Sequence, residues 1–414
     1  MPTLAEQSLN TKETNQSAGA AIRRRPLRIA VVGSRGIPSA YSGVERACES
    51  LYLRLAERGH HVTCYCRPEY APDGPHMYRG VTLRPTRAIT TQALDNLSST
   101  FVALGHALRA GNFDLVHFHA IPAGFFAPLA RLRGFPVIST IQGLDWRRAK
   151  WKGIGSVVIK QAERFLVHEA RRMIVVSREL QAYYRAQYGR ITSYVPNGVE
   201  LVQPAMYADD TVLRTFELQP REYLLYLARL VPEKRTHDLI QAFAQVRTDK
   251  KLIIAGDSSP TSSYVAELKR LAASDSRIMF IGFQRGDAVH TLFHNASGYV
   301  LPSELEGLPL SLLEAMSHGT TPIVSDIGPH RELLSPISGY NLFFKPHDVS
   351  GLADCLHRLL AAPDHYNALG RRIRQFVEQN FSWNAITDLT EDLYYDAIEN
   401  GPDRAFDLSL GGRA

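Results

Sequence analysis

Glu306 and Glu314 stand with seven residues between them in the run S-E-L-E-G-L-P-L-S-L-L-E-A-M-S-H-G. Gly307 and Pro309 lie in that interval, so the run reads as the mouth of a helix and not its middle. Pro309 suits the first helical position, where its missing N–H costs nothing, and Glu306 then falls just before the helix. The N–H groups of Leu310 and Ser311 are among the unpaired donors of the first turn, an end that attracts phosphate through free donors and the helix dipole. Helical side chains lean back toward the N-terminus, which carries Glu314 toward the mouth. One carboxylate at the mouth and one just inside can grip hydroxyls on both sides of a bound pyrophosphate, which is the layout a nucleotide-sugar site needs.

Countercharge comes from L-A-R-L-V-P-E-K, where Arg229 follows an apolar strand and Lys234 lies five residues on, across a proline turn. Two cations at a strand end can neutralise a leaving diphosphate, and charge-assisted hydrogen bonds contribute roughly 1.5–3 kcal/mol each. His117 and His119 alternate in V-H-F-H-A and share one face of a strand. His119 is expected to contact substrate and His117 to be structural, since no third ligand for a metal is evident. The loop Gly33-Ser34-Arg35-Gly36 lacks the G-x-G-x-x-G fingerprint, and the following strand ends at Cys66-Arg67 with no acid, so nicotinamide chemistry is not expected. Gly43, behind Ser42, lets the backbone approach a phosphate or simply serves a tight turn. Asn197-Gly198 makes a turn after Val195-Pro196, and Gly256-Asp257 closes another strand.

The elements that must hold these residues repeat twice. Leu27–Val32, a helix over Val44–Arg58 and His61–Cys66 form a βαβ unit. Strands follow at Leu115–His119, Pro136–Thr140, Met173–Ser177 and Tyr194–Pro196, with helices near Leu94–Ala110, Phe125–Arg133 and Val157–Glu169. After a polar linker within Gln203–Pro220, strands recur at Tyr223–Ala228, Lys251–Ala255, Ile278–Gly282, Gly298–Leu301, Pro322–Ser325 and Asn341–Phe344. Helices are expected between them, at Thr236–Val246, Ser263–Ala273, Asp287–Asn295 and Leu310–His318. The chain is mainly helical from Asp348 on. Such alternation implies a mostly parallel sheet in each half, with ligands at the carboxyl ends of the strands and in the cleft between domains. The division is a flexible tail over 1–25, a first domain over 26–202, a second over 203–384, and over 385–414 a C-terminal helix returning to the first domain, then a tail.

At 414 residues two domains are the natural prior. No apolar run reaches the length of a spanning helix, and the polar start, with Arg23-Arg24-Arg25 after the small residues, is not a secretory signal. Cys48, Cys64, Cys66 and Cys355 show no metal-ligand spacing and read as reduced thiols of a cytosolic protein. Residues 1–200 hold 27 Lys+Arg against 14 Asp+Glu, while the remainder holds 20 against 27. A basic first half favours an anionic surface at roughly 1 kcal/mol per nearby cation. Trp146-Arg147-Arg148-Ala149-Lys150-Trp151-Lys152 suits a lipid headgroup interface or is a solvated face with local Trp packing. Nucleic acid is not expected, as no binding motif accompanies the charge.

Taken together, G-I-P-S-A-Y-S-G-V-E at 36–45, V-P-N-G-V at 195–199, A-R-L-V-P-E-K at 228–234, I-A-G-D at 254–257 and E-G-L-P-L-S-L-L-E-A-M-S-H-G-T-T-P-I-V at 306–324 resemble glycosyltransferase family 4. The resemblance covers about residues 27–385, and its most specific parts are the last motif and the Arg–Lys pair. It implies an α/β GT-B fold of two Rossmann-like domains facing across a deep cleft. G-S-R-G-I-P and G-L-D-W-R-R-A-K-W look further like bacterial rhamnosyltransferase-like enzymes of surface polysaccharide synthesis.

The resemblance implies that Arg229 and Lys234 hold the donor diphosphate, Glu314 the ribose hydroxyls and Glu306 the donor sugar. It places Gly43 and Ser42 beside the phosphate and His119 near sugar and acceptor, with Asn197, Gln142, Gly307, Leu308 and Leu310 as further substrate-binding positions. It implies transfer of a hexosyl or deoxyhexosyl group from a dTDP-, UDP- or GDP-sugar to a saccharide or lipid-linked saccharide, with retention and with no metal or cofactor. The place of work would be the cytoplasmic face of the cell membrane. The chain departs from the family at Ser42, where a second glycine is common, and at Gln142, where histidine or aspartate is common and glutamine cannot act as a base. Two other classes fit a similar architecture: a sugar-nucleotide 2-epimerase, and a silent nucleotide-sugar-binding protein.

Overall fold

The computed structural model describes residues 24–39, 43–87, 89, 95–147, 154–201, 203–257 and 262–400. The first domain is built from β1 (Arg28–Val32), α1 (Gly43–Glu57), β2 (His61–Cys66), β3 (His76–Tyr78), β4 (Val81–Pro85), α2 (Asp95–Ala110), β5 (Leu115–His119), α3 (Ala127–Leu132), β6 (Val137–Ile141), α4 (Ile154–Glu169), β7 (Arg172–Val175), α5 (Arg178–Tyr188) and β8 (Ser193–Tyr194). Its eight strands run in the order β3-β4-β2-β1-β5-β6-β7-β8. All pairs are parallel but β3–β4, a hairpin the sequence reading lacked. The second domain holds α6 (Thr211–Thr215), β9 (Tyr223–Leu227), α7 (Thr236–Phe243), β10 (Lys251–Ala255), α8 (Ser262–Ala272), β11 (Ile278–Gly282), α9 (Asp287–Asn295), β12 (Gly298–Leu301), α10 (Leu310–Ser317), β13 (Pro322–Ser325), α11 (Gly328–Leu334), β14 (Phe343–Phe344), α12 (Val349–Ala361) and α13 (Pro363–Asn380). Its six strands are parallel in the order β11-β10-β9-β12-β13-β14.

The strand order explains where chemistry can sit. Each sheet grows outward from its first strand in both directions, so the chain reverses between β1 and β5 in one sheet and between β9 and β12 in the other. Loops leaving the carboxyl ends of such neighbours splay apart and leave a crevice. The chain leaving β1 leads to Gly43 and β5 ends at His119, β6 and β8 are followed by Gln142 and Asn197, and the loops after β9 and β12 carry Arg229, Lys234, Glu306 and Gly307. The inner strands are buried on both faces, as in L-L-Y of β9 and I-I-A of β10, because helices cover both sides of each sheet.

Several boundaries differ from the sequence reading. Pro309 is the N-cap of α10, with φ −74° and ψ 118°, and Leu310 is its first helical residue. The expected helix over Phe125–Arg133 is a 3-10 turn (Ile121–Phe126) followed by the short α3, with Pro122 and Pro128 near their starts. The polar linker contains α6 and a 3-10 turn (Pro204–Tyr207) docked on α9, where Tyr207 stacks on His294 at 3.7 Å and Thr291 Oγ1 donates to the Asp209 carbonyl at 2.9 Å. Arg24 and Arg25, placed in the tail, are tied down: Arg24 to Asp392 at 2.9 Å and Arg25 by a fork to Asp114 at 2.7 and 3.1 Å.

The last helix, α14 (Trp383–Glu399), crosses back and shares a core with α1 on one face of the first sheet. Gly198 makes the crossing possible, since a Cβ there would lie 2.7 Å from the Trp383 ring. Arg58 bonds both Asp388 and Glu391 at 2.7 Å. Deeper in, Arg172 Nε donates to Asp396 Oδ2 at 2.5 Å, with both side chains under a tenth exposed. Breaking a buried pair strands a charge. Asp396→Ala is therefore expected to lower unfolding free energy by on the order of 3–5 kcal/mol, read from urea midpoints; a loss under about 1 kcal/mol would show the pair to be dispensable.

Candidate active site

The two switch-point loops of the second sheet are joined by a backbone bond from Glu304 N–H to the Glu233 carbonyl at 3.0 Å. Beside it the Lys234 ammonium donates to Glu306 Oε1, with only 13% and 10% of the two side chains exposed. Burial alone would push the Glu306 carboxyl up. The Lys234 ammonium outweighs it, by its charge and its hydrogen bond, and the net direction is down, so Glu306 is charged. His330 donates from Nδ1 to the Ser325 carbonyl at 2.8 Å. Its buried Nε2 has no partner, and burial lowers the ring to about 4 despite Glu306. Arg229 is exposed where the chain leaves β9, and its carbonyl accepts from the Tyr226 hydroxyl at 3.1 Å.

α10 opens toward this pair. Leu312 and Leu313 N–H both donate to the Pro309 carbonyl at 3.2 Å, which leaves Leu310 and Ser311 N–H ahead of the first helical bonds. A Schellman turn ends the helix, with Gly319 at φ +69° donating to the Met316 carbonyl and Thr320 to the Ala315 carbonyl. Glu314 lies buried in the second turn. Its two oxygens are held by the two terminal nitrogens of Arg46, Nη1 reaching Oε2 at 3.1 Å and Nη2 reaching Oε1. Arg46 sits in the first turn of α1, in the other domain. Gly43 begins α1, and a Cβ there would lie 3.6 Å from Leu310 Cδ1. The positive ends of α1 and α10 thus converge on one space. Ser42 lies outside the described residues.

Gln142, Asn197, Gly307 and Leu308 come together as the seam between the domains. The Gln142 and Asn197 amides bond each other twice at 3.0 Å, and Asn197 Nδ2 donates also to the Leu308 carbonyl at 2.9 Å. A Cβ on Gly307 would sit 1.8 Å from the Gln142 carbonyl oxygen, so only glycine permits this approach. A second tie runs from Arg178 N–H to Glu332 Oε2 at 2.8 Å. His119 is buried at the end of β5. The Tyr52 hydroxyl bridges His119 Nε2 at 2.5 Å and His117 Nδ1 at 2.8 Å, and Tyr394 of α14 reaches His117 Nδ1 at 2.6 Å. His119 Nδ1 is buried without a partner.

The sequence reading missed Arg46, Tyr52 and His330. A cation three residues after Gly43 is a signal for the first, since it falls on the first turn of a helix that faces the cleft. Of the expected headgroup patch, residues 148–152 lie outside the described residues, and Trp146 is half-buried against Tyr183 with the Lys160 ammonium 4.7 Å from its ring. Among the described residues no three His, Cys, Asp or Glu groups come together as a metal site. The arrangement sets two converging helix ends beside cations, a combination suited to an anion, with two carboxylates each engaged by a cation in this structure.

Two family models match the chain, one described as glycosyl transferase 4-like domain over residues 42–198 and one as glycosyl transferases group 1 over 214–376. The chain is 28% identical over 409 residues to a glycogen synthase of Mycobacterium tuberculosis, covering 89% of this chain and 94% of the relative. It is 24% identical over 378 residues to the UDP-Gal:alpha-D-GlcNAc-diphosphoundecaprenol alpha-1,3-galactosyltransferase of Escherichia coli, covering 87% and 95%. Its fold is similar to that of sucrose-phosphate synthase from Thermosynechococcus elongatus, with a TM-score of 0.78 at 23% identity over 90% of this chain and 99% of the other.

The buried imidazoles give the fold a pH signature. Burial lowers His119 and His318 to about 3 and His330 to about 4, and moves His117 the same way. Folded, these rings are neutral, whereas unfolded each takes up a proton near pH 6.5. The unfolded chain therefore binds more protons below that point, and stability, complete above about pH 6.5, falls as pH drops toward 4. The limiting slope is about 1.4 kcal/mol per pH unit for each ring. Urea unfolding at pH 7.5 and 5.5 checks this, and equal stabilities would contradict it.

Proposed function

We propose, from the premise that this chain belongs to the family 4 glycosyltransferases and is a hexosyltransferase of that type using sugar nucleotides, that it moves a hexosyl or deoxyhexosyl group with retention onto a lipid-linked saccharide in surface polysaccharide synthesis. The observation that carries the reading is the Lys234–Glu306 pair set beside two converging helix ends. Breaking a sugar–phosphate bond builds negative charge on the diphosphate and positive charge at the anomeric carbon. Fixed donors aimed at the leaving group stabilise that state, and they need no reorganisation during reaction. Lys234, Arg229 and the N–H groups of Leu310 and Ser311 supply them on one side, and Gly43 on the other. Glu306, kept ionised, accepts from donor-sugar hydroxyls. Glu314 accepts from the ribose. His119 Nδ1, buried and without a partner, accepts or donates to the sugar or acceptor according to its tautomer. Both carboxylates are engaged by cations, which favours the leaving phosphate oxygen as acceptor of the proton released by the attacking hydroxyl. Gln142 and Asn197 hold the seam that shapes the cleft.

The lipid-linked acceptor is supported by the relative whose name specifies a diphosphoundecaprenol saccharide and by one face of the first domain. No described helix is long and apolar enough to cross a membrane. On α2, the 3-10 turn before α3, α3 and α4, however, Phe101, Phe125, Leu129, Leu132 and Val157 are exposed, Leu132 at 82%. Phe101 and Phe125 each pack against Phe126 at 5.5 and 5.6 Å, which joins α2 to the turn before α3. Arg133, just after α3, and Lys160 and Arg164 of α4 are exposed as well. An apolar surface accompanied by cations fits the headgroup layer of an anionic cytoplasmic leaflet.

Lys234→Ala is expected to cut turnover at least about 100-fold while circular dichroism shows a folded protein, with glycosylated acceptor as the wild-type product from a dTDP-, UDP- or GDP-sugar screen. Near-normal transfer by the folded variant, or an epimerised nucleotide as product, would overturn the reading. In flotation assays the protein is expected to bind anionic vesicles at low salt, to leave them at high salt, and to bind poorly as Phe101→Ser/Leu132→Ser; absence of binding by wild type at low salt would remove the membrane claim.

A further inference from the structure

We infer that Arg46 is an internal competitor of the sugar-nucleotide: in the free protein its guanidinium occupies the seat on Glu314 that the donor ribose takes. The inference rests on the ribose role of Glu314 in the proposed reading.

Glu314 is the only carboxylate in α10, and 9% of its side chain is exposed with Arg46 in place. A carboxylate that buried needs donors on both oxygens. Arg46 provides both, one terminal nitrogen to each. A vicinal diol can provide the same two hydrogen bonds from two hydroxyls. It cannot do so while the guanidinium covers the approach, because too little of the carboxylate remains open. The ribose and Arg46 are therefore alternative partners.

Displacement is feasible on the arginine side. The Arg46 side chain is 44% exposed even with Glu314 in its grasp. Burial draws its guanidinium below the usual arginine range, and Glu49, one turn further along α1, and Glu200 oppose that and offer it negative charge besides Glu314. Among the described residues His290 of α9 also feels its charge. The consequence reaches beyond the pair. Arg46 belongs to the first domain and Glu314 to the second, so their bond closes the cleft in the absence of ligand, at a point where a Cβ on Gly43 would already meet Leu310 Cδ1 at 3.6 Å. A nucleotide entering the cleft breaks the bond, and Arg46 recaptures Glu314 as the nucleoside diphosphate leaves.

Competition of this kind acts on ligands that carry ribose and spares those that do not. Calorimetry with UDP and with inorganic pyrophosphate separates the two, because pyrophosphate reports the loss of a positive charge near the phosphate seat. In Arg46→Ala the ratio of UDP affinity to pyrophosphate affinity is expected to rise about three- to tenfold. In a Glu314→Gln background the same change is expected to leave the ratio unmoved. Arg46→Gln serves as the second variant if Arg46→Ala unfolds. An unchanged or falling ratio would overturn the inference, since Arg46 would then be a bystander or a phosphate ligand. Glu314→Gln alone tests the reading beneath it: a tenfold loss of UDP with pyrophosphate unaffected upholds the ribose role, whereas equal UDP binding removes that role and the inference together. If UDP, GDP and dTDP all fail to bind wild type, the sugar-nucleotide reading itself falls.

Discussion

Two carboxylates buried at the mouth of one helix must be neutralised, and the way this protein neutralises them sets its architecture. Lys234 reaches Glu306 from the neighbouring strand end of the same sheet, and Arg46 reaches Glu314 from the other domain. The first pair holds a cation and an anion together where the loops after β9 and β12 meet. The second holds two domains together. Ionised groups left alone in such places would cost several kcal/mol each, so neither loop nor domain arrangement is free to drift.

The backbone carries this arrangement as much as the side chains do. Gly307 presses against the Gln142 carbonyl, and the Asn197 amide spans from Gln142 to Leu308. The seam lies one residue from Glu306, so a change in domain closure is felt directly at the carboxylate. Farther out, α14 ties the end of the second domain to α1, the helix that bears Gly43 and Arg46, and to His117 beneath His119. The helix returning over the first domain thus braces the half of the cleft opposite Glu306 and Glu314.

Much of the fold was legible in the sequence because buried parallel strands are short apolar runs that end at turn residues, as in Tyr223–Leu227 or Lys251–Ala255. The Lys234–Glu306 proximity was legible for the same reason: both residues follow strands that sit at a switch point. Pro309 was misplaced by one position because proline suits both the cap and the first turn. The β3–β4 hairpin was missed because β3 is three residues long and mostly exposed, and the inward alternation of Val81 and Leu83 in β4 is too brief to stand out. The partners of Arg46, Tyr52 and His330 lie 268, 67 and 5 residues away, and for the first two only the closed tertiary fold brings them together, so the position of Arg46 after Gly43 could mark it as facing the cleft but could not name Glu314. Even the short-range His330 contact gives no periodic signal. The apolar face around Phe125 and Leu132 was hidden because isolated apolar residues on short helices read as core.

The central claim is that the ends of α1 and α10 form one phosphate seat shared by both domains. The most direct measurement is a titration of ¹⁵N-labelled protein with UDP, GDP or dTDP, following backbone amide shifts. The largest saturable changes are expected at Gly43, Leu310 and Ser311 together. Saturable binding that moves amides elsewhere and leaves these three in place would contradict it.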